Sequence, residues 1–320
     1  GKTTVSAMTA SILQSKYGDV GYLIGGVLGD GSWSARLGSN EYFIVEADEY
    51  DSAFFDKRSK FIHYFPNILA INNIEFDHAD IFDDLTPILK QFSHLLRTIP
   101  ANGQVVFHEN DQTTKHLVDK ENWFDVYSIG NDKQFYYDKT KNLFIFNGKE
   151  YDLDELPFFG EHNYKNALMA MCLAYLCNVP YEESFQALKN YSGVKRRLEV
   201  IFQGNTHLVY DDFAHHPTAI EAVSEAIKSK YASKMIGIIE LASNTMKSGR
   251  HGNTLIDSTK NFDRIYFLDH ENTLNDANSF SSLEKIIDDL KKVICDYETI
   301  IIMTNKDSQI ISREIIKLCN

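Results

Sequence analysis

Cysteine and positive charge are both scarce in this sequence. Its 320 residues include four cysteines, none of which lies in a Cys-x-x-Cys pair or at a spacing from histidine that indicates a metal knuckle. A disulfide scaffold is therefore disfavoured, and a reducing, cytoplasmic location is expected. Lys and Arg total 32 against 45 Asp and Glu, so the formal net charge is −13. This balance argues against a general affinity for nucleic acid or for an anionic membrane surface.

Long apolar runs are missing as well. No run reaches the roughly 18 residues that a transmembrane helix needs, and the longest candidate, residues 167–179, is predicted to be a core helix. No signal peptide is visible. The chain is 43% hydrophobic and 24% charged, which is typical of a soluble globular protein, and its length favours about two domains. Because the first residue is Gly1 and not Met, we expect that a segment which normally precedes it is missing.

Short apolar runs alternate with amphipathic stretches, which predicts an α/β fold with mainly parallel sheets. In the first half, helices are predicted over residues 3–17, 85–96, 163–178 and 182–191, strands over 42–45, 68–71 and 105–107, and short β-type pieces with an Asn147-Gly148 turn between 124 and 153. The composition changes near residues 193–197, which predicts two domains over 1–194 and 195–320. In the second half, strands are predicted over 207–210, 235–239, 265–268 and 299–303, and helices over 218–230, 282–292 and the last residues.

The first four residues, Gly1-Lys2-Thr3-Thr4, precede a predicted helix and match the end of a P-loop. In that motif the backbone N–H groups at the helix start and the helix dipole favour phosphate, the lysine adds positive charge, and the next hydroxyl binds Mg²⁺. Lys2 and Thr3 would fill the last two positions. The glycine that opens the full motif would precede Gly1, so the match is short, and an ordinary helix start is the alternative.

Two predicted strands end in acidic segments, and ligands of open α/β sheets bind beyond such strand ends. Residues 46–51 follow the first of these strands and residues 73–80 follow the second. Next to a P-loop, Glu46 is expected to hold the Mg²⁺ that accompanies a nucleotide. His78, which acidic residues flank, is either a second ligand or a loop histidine.

Further polar residues are open to more than one interpretation. Asn163 and Asn166 share a helix face and could bind adenine through their amides, although Asn163 could equally be a helix N-cap. Arg196 and Arg197 lie at the domain boundary, where an arginine could reach a transferred phosphate or the pair could be a solvated hinge. Asp212 and the histidines that follow it could ligate a metal, but no third ligand lies at a standard zinc spacing.

Ten segments, in order along the chain, resemble motifs of the Mur ligase family, the ATP-dependent enzymes that add amino acids or peptides to UDP-N-acetylmuramate, and within it the murein peptide ligases. They are residues 1–4, 25–27, 34–38, 46–51, 54–60, 73–85, 160–163, 194–197, 211–220 and 243–247. The resemblance implies a P-loop central ATPase domain with a mainly parallel sheet, followed by a C-terminal Rossmann-like α/β domain. It also implies an N-terminal UDP-binding domain outside this chain.

The same resemblance implies roles for individual residues. The phosphates of ATP would be bound by Gly1, Lys2, Thr3 and Thr4, the Mg²⁺ by Thr3, Glu46 and His78, and the adenine by His162, Asn163 and Asn166. Arg197 would face the phosphates, and Asp212 would face the ribose. The catalytic set would be Lys2, Glu46, His78 and Arg197, and the substrate contacts would be His215, His216, Ser243, Asn244, Thr245 and Lys247.

The activity that the resemblance implies is amide-bond formation in peptidoglycan recycling. A carboxylate of UDP-N-acetylmuramate would attack the γ-phosphate of ATP, giving an acyl phosphate and ADP. The amine of the tripeptide L-Ala-γ-D-Glu-meso-diaminopimelate would then displace phosphate from the acyl carbon. Lys2, Arg197 and Mg²⁺ would neutralise and align the reacting anions. The alternatives are the L-alanine-adding ligase of the same family and a nucleotide-binding remnant without ligase activity.

Two departures from the family pattern fall in the second domain. Leu241-Ala242 stands where the peptide ligases carry Pro-Arg, which removes a guanidinium that could clamp a carboxylate. Residues 305–309 contain no glycine where the family has a Gly-rich segment, and bulkier residues hinder close approach of a ligand to the backbone. The central domain is therefore expected to be better preserved than the peptide-binding domain.

Overall fold

The structure, a computed structural model, describes residues 1–75, 85–121, 123–130, 135–242 and 252–319. Contacts divide the chain into two units, Gly1–Val194 and Lys195–Asn320. Each unit has its own sheets and its own buried core. Within the described ranges, no helix is both long enough and apolar enough to cross a membrane.

The first unit contains five α-helices and eleven strands among its described residues. The helices are α1 (Lys2–Tyr17), α2 (Leu85–Leu96), α3 (Gln112–Val118), α4 (Glu161–Leu176) and α5 (Tyr181–Lys189). The strands are β1 (Gly21–Leu23), β2 (Ala35–Arg36), β3 (Phe43–Val45), β4 (Asp51–Ala53), β5 (Asp56–Ser59), β6 (Ile68–Ile71), β7 (Gln104–His108), β8 (Asp125–Ile129), β9 (Phe135–Asp138), β10 (Leu143–Phe146) and β11 (Lys149–Asp152). Short 3₁₀ helices span Lys60–His63 and Leu153–Glu155.

The parallel strands of this unit lie in two three-stranded ladders. In one ladder, β1 pairs in parallel with β3 and antiparallel with β2. In the other, β6, β7 and β8 pair in parallel in that order. Because parallel strands end at the same edge, the residues that follow β1 and β3 lie together, as do those that follow β6 and β7.

The antiparallel strands form a β4–β5 hairpin and a β9–β10–β11 meander. The Asn147-Gly148 turn that the sequence predicts joins β10 to β11. Both of its residues have positive φ, 49° and 80°, as a two-residue hairpin turn of type I′ requires.

Helix α1 packs against α4 and α5. Its Ala7 and Ala10 are buried in the same core cluster as Ala167 and Ala170 of α4, and such small side chains let neighbouring helices approach closely. Larger buried residues of α1, such as Ile12, fill the remaining space, and each contributes about 1.5–3 kcal/mol when fully buried. The packing fixes the first turn of α1 relative to the strand ends.

The second unit is built on one six-stranded sheet in the order β12-β13-β17-β14-β15-β16. Its strands are β12 (Glu199–Gln203), β13 (Leu208–Asp212), β14 (Met235–Glu240), β15 (Arg264–Leu268), β16 (Ser279–Phe280) and β17 (Thr299–Met303). Its helices are α6 (Pro217–Lys230), α7 (Gly252–Asp257), α8 (Leu283–Leu290) and α9 (Gln309–Cys319), with a 3₁₀ helix at Ile294–Asp296. All pairings are parallel except that of β12 with β13. Every residue of β14 and β17 is buried, as expected for central strands covered on both faces.

The predicted α/β class is confirmed, and so are most of the predicted elements. The strands 68–71 and 299–303 and the helix 85–96 have the predicted ends, and the others differ by a few residues. The apolar run 167–179 is a core helix and its end, as predicted. The sequence prediction missed some elements that are short or lack a continuous apolar pattern, namely α3, α7, β1, β2, the β4–β5 hairpin, β12 and β16.

Candidate functional site

The amino end of α1 carries no side-chain cap. Gly1 is the N-cap, and it has no side chain that could cap the turn. No acidic residue lies in the first turn either. The positive end of the helix dipole is therefore not neutralised from within the turn, which is the condition for binding an anion there.

Glu46, the residue directly after β3, is the centre of the site. Its Oε1 accepts a hydrogen bond of 2.8 Å from the hydroxyl of Thr3, and its Oε2 accepts one of 2.5 Å from the backbone N–H of Gly25. A Cβ on Gly25 would lie only 2.9 Å from Oε2, so the carboxylate approaches the backbone closely there. One carboxylate thus joins the start of α1 to the ends of β1 and β3.

Lys2 forms an ion pair with Glu49, three residues beyond Glu46. The lysine side chain is 43% exposed, so this is a surface pair, which is typically worth less than about 1 kcal/mol. The backbone carbonyl of Glu49 accepts a hydrogen bond of 2.6 Å from the hydroxyl of Ser59 on β5. The acidic segment is therefore attached to α1 on one side and to the β4–β5 hairpin on the other.

Asn72 and His108 lie at the edge where the parallel strands β6 and β7 end, although the sequence analysis did not select them. Asn72 follows β6, and His108 is the last residue of β7. Nδ2 of Asn72 donates to Oδ1 of Asn166 over 3.1 Å, and Nε2 of His108 lies 3.3 Å from Oδ1 of Asn72. The signal that could have found them is their position at the ends of neighbouring parallel strands.

The start of α4 differs from one of the interpretations of the sequence. Its N-cap is Gly160, with φ at 95°, so the alternative that Asn163 caps this helix is wrong. Nδ2 of Asn163 donates instead to the carbonyl of Phe159 over 3.0 Å. Asn163 and Asn166 are both buried, as residues on a shared helix face would be. Their expected place beside adenine, together with that of His162, stays a prediction.

Asp212, the last residue of β13, binds the backbone just before β12 and just after β13. Its two carboxylate oxygens accept hydrogen bonds from the N–H groups of Leu198 and Ala214, each of 2.7 Å. Burial raises the pKa of Asp212, while the positive charge of Arg197 and the two N–H groups act against that rise. Asp212 therefore holds two backbone segments of its own unit, and its expected contact with ribose stays a prediction.

The two arginines at the start of the second unit have different surroundings. Arg196 reaches Asp211 with its Nε (3.3 Å) and donates to the carbonyl of Thr304 over 2.6 Å. The guanidinium of Arg197 lies over the ring of Phe213, 4.9 Å from its centroid. Arg196, which also lies over the Phe213 ring at 5.3 Å, is thus held at the sheet edge, and the expected contact of Arg197 with the phosphates stays a prediction.

Both departures from the family pattern have a structural counterpart. Leu241 and Ala242, which follow β14, are buried, with 4% and 8% of their surfaces exposed. Within residues 305–309, the hydroxyl of Ser308 donates to the carboxylate of Asp211. The backbone N–H of Gln309 donates to Asp307, also in this segment. These side chains stabilise the segment before α9 in place of glycines.

Several predicted residues cannot be placed. His78, Ser243, Asn244, Thr245 and Lys247 lie outside the described residues, so their roles stay predictions. His215 is described, and its Nδ1 lies 2.9 Å from the carbonyl of Phe213; the substrate contacts expected of His215 and His216 stay predictions. The described part of the chain holds no cluster of three or more His, Cys, Asp or Glu side chains that could bind a metal.

The pair of Thr3 and Glu46 fits Mg²⁺ bound together with a nucleotide. A hydroxyl and a carboxylate are the hard oxygen donors that Mg²⁺ prefers, and Mg²⁺ commonly takes only one or two protein ligands beside the phosphates. The two oxygens already lie 2.8 Å apart beside the first turn of α1. Mg²⁺ is general for this kind of site, and its presence here belongs to the proposal below.

Comparison with known protein families shows to which family the two units of this chain belong. Residues 1–174 match the Mur ligase middle domain, and residues 196–313 match the Mur ligase, glutamate ligase domain. The chain belongs to the Mur ligase family. The family resemblance that the sequence motifs indicate is therefore confirmed.

Individual Mur ligases match over most of this chain. The UDP-N-acetylmuramate–L-alanyl-γ-D-glutamyl-meso-2,6-diaminoheptandioate ligase of Haemophilus influenzae is 41% identical over 278 residues, which are 85% of this chain and 61% of that protein. The UDP-N-acetylmuramate–L-alanine ligase of a Hydrogenobaculum species is 31% identical over 309 residues, which are 93% of this chain and 66% of that protein. The crystal structure of a murein peptide ligase from Psychrobacter arcticus matches with a TM-score of 0.73 at 32% identity, covering 100% of this chain and 76% of that chain.

The chain thus spans less than two thirds of the length of these curated Mur ligases. The matched part contains the nucleotide-site geometry described above. The activity and the substrates of a whole Mur ligase are accordingly matters for the proposal that follows.

Proposed function

We propose that this chain is the ATP-binding and C-terminal part of a ligase that joins the tripeptide L-Ala-γ-D-Glu-meso-diaminopimelate to UDP-N-acetylmuramate. The observation that carries the proposal is the position of Glu46, hydrogen-bonded to Thr3 at the first turn of α1 and to the backbone at the end of β1. This is the arrangement that a P-loop nucleotide with its metal requires. The tripeptide is favoured over L-alanine because the relative named for it is 41% identical, against 31% for the L-alanine ligase.

The residues at the start of α1 bind and align the triphosphate. The first-turn N–H groups and the helix dipole face the phosphate oxygens. Lys2, which now pairs with Glu49, exchanges that carboxylate for a phosphate of the nucleotide. Thr3 and Glu46 hold Mg²⁺, with His78 as a further ligand. When bound, Mg²⁺ supplies charge neutralisation on the phosphates and fixes their orientation.

The reaction then takes place between two groups that these residues bring together. A carboxylate oxygen of UDP-N-acetylmuramate attacks the γ-phosphorus, the bond to the β-phosphate oxygen breaks, and ADP leaves. The amine of the tripeptide attacks the acyl carbon of the resulting acyl phosphate, loses a proton and expels phosphate. Lys2 and Arg197 reduce the repulsion between the anionic reactants, which is the main electrostatic barrier to the first step.

The second unit supplies the amine-side contacts in this proposal. The guanidinium of Arg197 lies over the ring of Phe213, and Asp212 accepts hydrogen bonds from the backbone just before β12 and just after β13. His215 and His216 follow directly, and Ser243, Asn244, Thr245 and Lys247 follow the end of β14. Ligands of parallel sheets bind beyond such strand ends, and this rule favours those residues as substrate contacts.

The proposed location of the protein is the cytoplasm. The buried free thiols Cys172 and Cys177 suit a reducing cytoplasm.

The test uses the full-length protein that contains this chain. Purified protein is incubated with Mg²⁺ and ATP, and ADP and phosphate are measured with UDP-N-acetylmuramate plus the tripeptide, with UDP-N-acetylmuramate plus L-alanine, and with each component alone. Formation of ADP, phosphate and a UDP-muramoyl tripeptide only with the first pair supports the proposal. Turnover only with L-alanine favours the L-alanine ligase, and nucleotide binding without turnover on either pair favours the remnant.

A further inference from the structure

A short chain of polar side chains leads from the end of β7 to the N-cap of α1. It begins at His108, passes through Asn72 at the end of β6 and reaches Asn166 on α4. Nε2 of His108 lies 3.3 Å from Oδ1 of Asn72, and Nδ2 of Asn72 donates to Oδ1 of Asn166 over 3.1 Å. None of the sequence motifs gives Asn72 or His108 a role.

The end of this chain of side chains fits closely against Gly1. A Cβ placed on Gly1 would lie 2.1 Å from Nδ2 of Asn72 and 2.5 Å from Oδ1 of Asn166, distances that real Cβ atoms do not reach. The amide pair therefore occupies the space directly beside the N-cap, and a larger residue at position 1 would have to displace these two side chains. The two amides thus bound the position of Gly1, where the first turn begins.

The direction of the hydrogen bonds along this row of three side chains depends on the position of one proton of His108. Because Asn72 donates to Asn166 through Nδ2, its Oδ1 must act as the acceptor toward His108, and Nε2 must carry the hydrogen. Burial and the neighbouring Lys165 lower the pKa of His108 to about 4, against the opposing effect of Asp111. The imidazole is therefore neutral near pH 7, with its hydrogen on Nε2 and directed at Asn72.

We propose that Asn72 and His108 are positioning residues for the nucleotide: they hold Gly1 and the first turn of α1 in the place where the backbone binds the terminal phosphates. This inference rests on the proposed function, because it concerns the same nucleotide site. His108 fixes the orientation of the Asn72 amide, and Asn72 with Asn166 forms the wall against which Gly1 packs. Neither His108 nor Asn72 needs to touch the phosphates to have this effect.

The experiment measures binding of Mg²⁺·AMP-PNP to the full-length protein that contains this chain by titration calorimetry. His108→Leu removes the donor toward Asn72, whereas His108→Gln keeps an N–H donor near the position of Nε2. We expect the dissociation constant to rise roughly tenfold for His108→Leu and to stay within about threefold of wild type for His108→Gln, as the loss of one buried hydrogen bond predicts. His116→Leu, at an exposed position on α3, is the matched control and should not change binding.

A second variant and a melting curve keep the test decisive. Asn72→Asp retains the size of the side chain but replaces Nδ2 by an oxygen that faces Oδ1 of Asn166, so it should weaken binding as His108→Leu does, even if the latter fails to fold. Wild-type affinity in both His108→Leu and Asn72→Asp would overturn the inference. So would a loss that His108→Gln does not restore, or one that only follows a lowered melting temperature. If wild type itself does not bind Mg²⁺·AMP-PNP, the proposed function fails as well.

Discussion

The hydroxyl of Thr3 donates to the carboxylate of Glu46 over 2.8 Å, although 43 positions separate the two residues in the chain. The contact exists because the first turn of α1 begins at the edge where β3 ends. It brings a hydroxyl and a carboxylate, both suited to Mg²⁺, to the place where a phosphate would bind. The first prediction concerns this pair.

Glu46→Gln should weaken the Mg²⁺-dependent part of nucleotide binding. The amide oxygen of Gln can still accept from Thr3 or from Gly25, so the fold should be kept, but the negative charge toward the metal is lost. We expect the half-saturating Mg²⁺ concentration in AMP-PNP titrations to rise about tenfold or more, in line with the loss of an anionic ligand. Glu41→Gln, an exposed change just before β3, is the control. An unaltered Mg²⁺ requirement in Glu46→Gln would remove Glu46 from the metal site.

Lys2→Ala should abolish ADP formation in the full-length protein while leaving the fold intact. The ion pair of Lys2 with Glu49 is partly exposed, so its loss should cost no more than about 1 kcal/mol of unfolding free energy. The loss of a charge on the transferred phosphate should lower turnover by roughly a hundredfold or more. Circular dichroism melts and ADP release measure the two effects.

Lys57→Ala is the matched control for Lys2→Ala. Lys57 is 70% exposed and pairs with Asp51 over 2.9 Å in the neighbouring hairpin. This variant should retain wild-type turnover. Full activity in Lys2→Ala, or equal losses in both variants, would contradict the assignment of Lys2.

Arg196→Ala should mainly lower the stability of the protein, whereas Arg197→Ala should mainly lower its turnover. Arg196 neutralises the buried Asp211, so its removal should lower the unfolding free energy by about 3 kcal/mol. Arg197 stacks on Phe213 and its charge acts on the buried Asp212, so its removal should cost less stability than that of Arg196, which forms a direct ion pair. It should reduce turnover about a hundredfold if the residue meets the transferred phosphate. Thermal unfolding and ADP release separate the two effects, and a stability loss confined to Arg197→Ala would reverse the assignment.

The stability of the first unit should depend on the protonation of His108. Its pKa is lowered from 6.5 to about 4, so between these values the unfolded chain binds more protons than the folded one. The stabilisation is complete above pH 6.5 and is lost as the pH falls toward 4, by about 3 kcal/mol in total. The pKa values of three carboxyl groups are lowered as well, so the stabilisation that these ionised groups contribute is also lost at low pH. They belong to Asp56, Glu161 and Asp289.

A comparison of variants isolates the histidine from these carboxylates. His108→Gln cannot take up the proton, so its unfolding free energy should fall less between pH 7 and pH 4.5 than that of wild type. His116→Gln, at an exposed position, should follow wild type. Parallel curves for His108→Gln and wild type would show that His108 has an ordinary pKa in the folded state.

The parts of the site that could be predicted are those set by local sequence. A glycine, a lysine and a threonine before an amphipathic run define the start of α1, and an acidic residue after an apolar run defines the end of β3. The rule that ligands bind beyond strand ends then predicts that Glu46 and the helix start belong to one site. The contact of Glu46 with Thr3 agrees with that reasoning.

The parts that could not be predicted depend on register and on close approach. The meeting of Asn72 with His108 follows from the parallel pairing of Ile71 with Phe107, and no local pattern reveals that register. The strand β1 was not predicted because it begins with a glycine and two more glycines follow it, which is not typical of a strand. Asp212 resembles a ligand residue in sequence, yet it binds the N–H groups of Leu198, before β12, and of Ala214, after β13.

In the proposed function, the ion pair between Lys2 and Glu49 makes nucleotide binding an exchange of one anion for another. A phosphate that reaches the first turn of α1 would take the place of the Glu49 carboxylate beside the lysine. A ligand whose phosphates do not extend that far would leave the internal pair in place. Because the pair is partly exposed and is typically worth less than about 1 kcal/mol, a phosphate can replace the carboxylate at little cost.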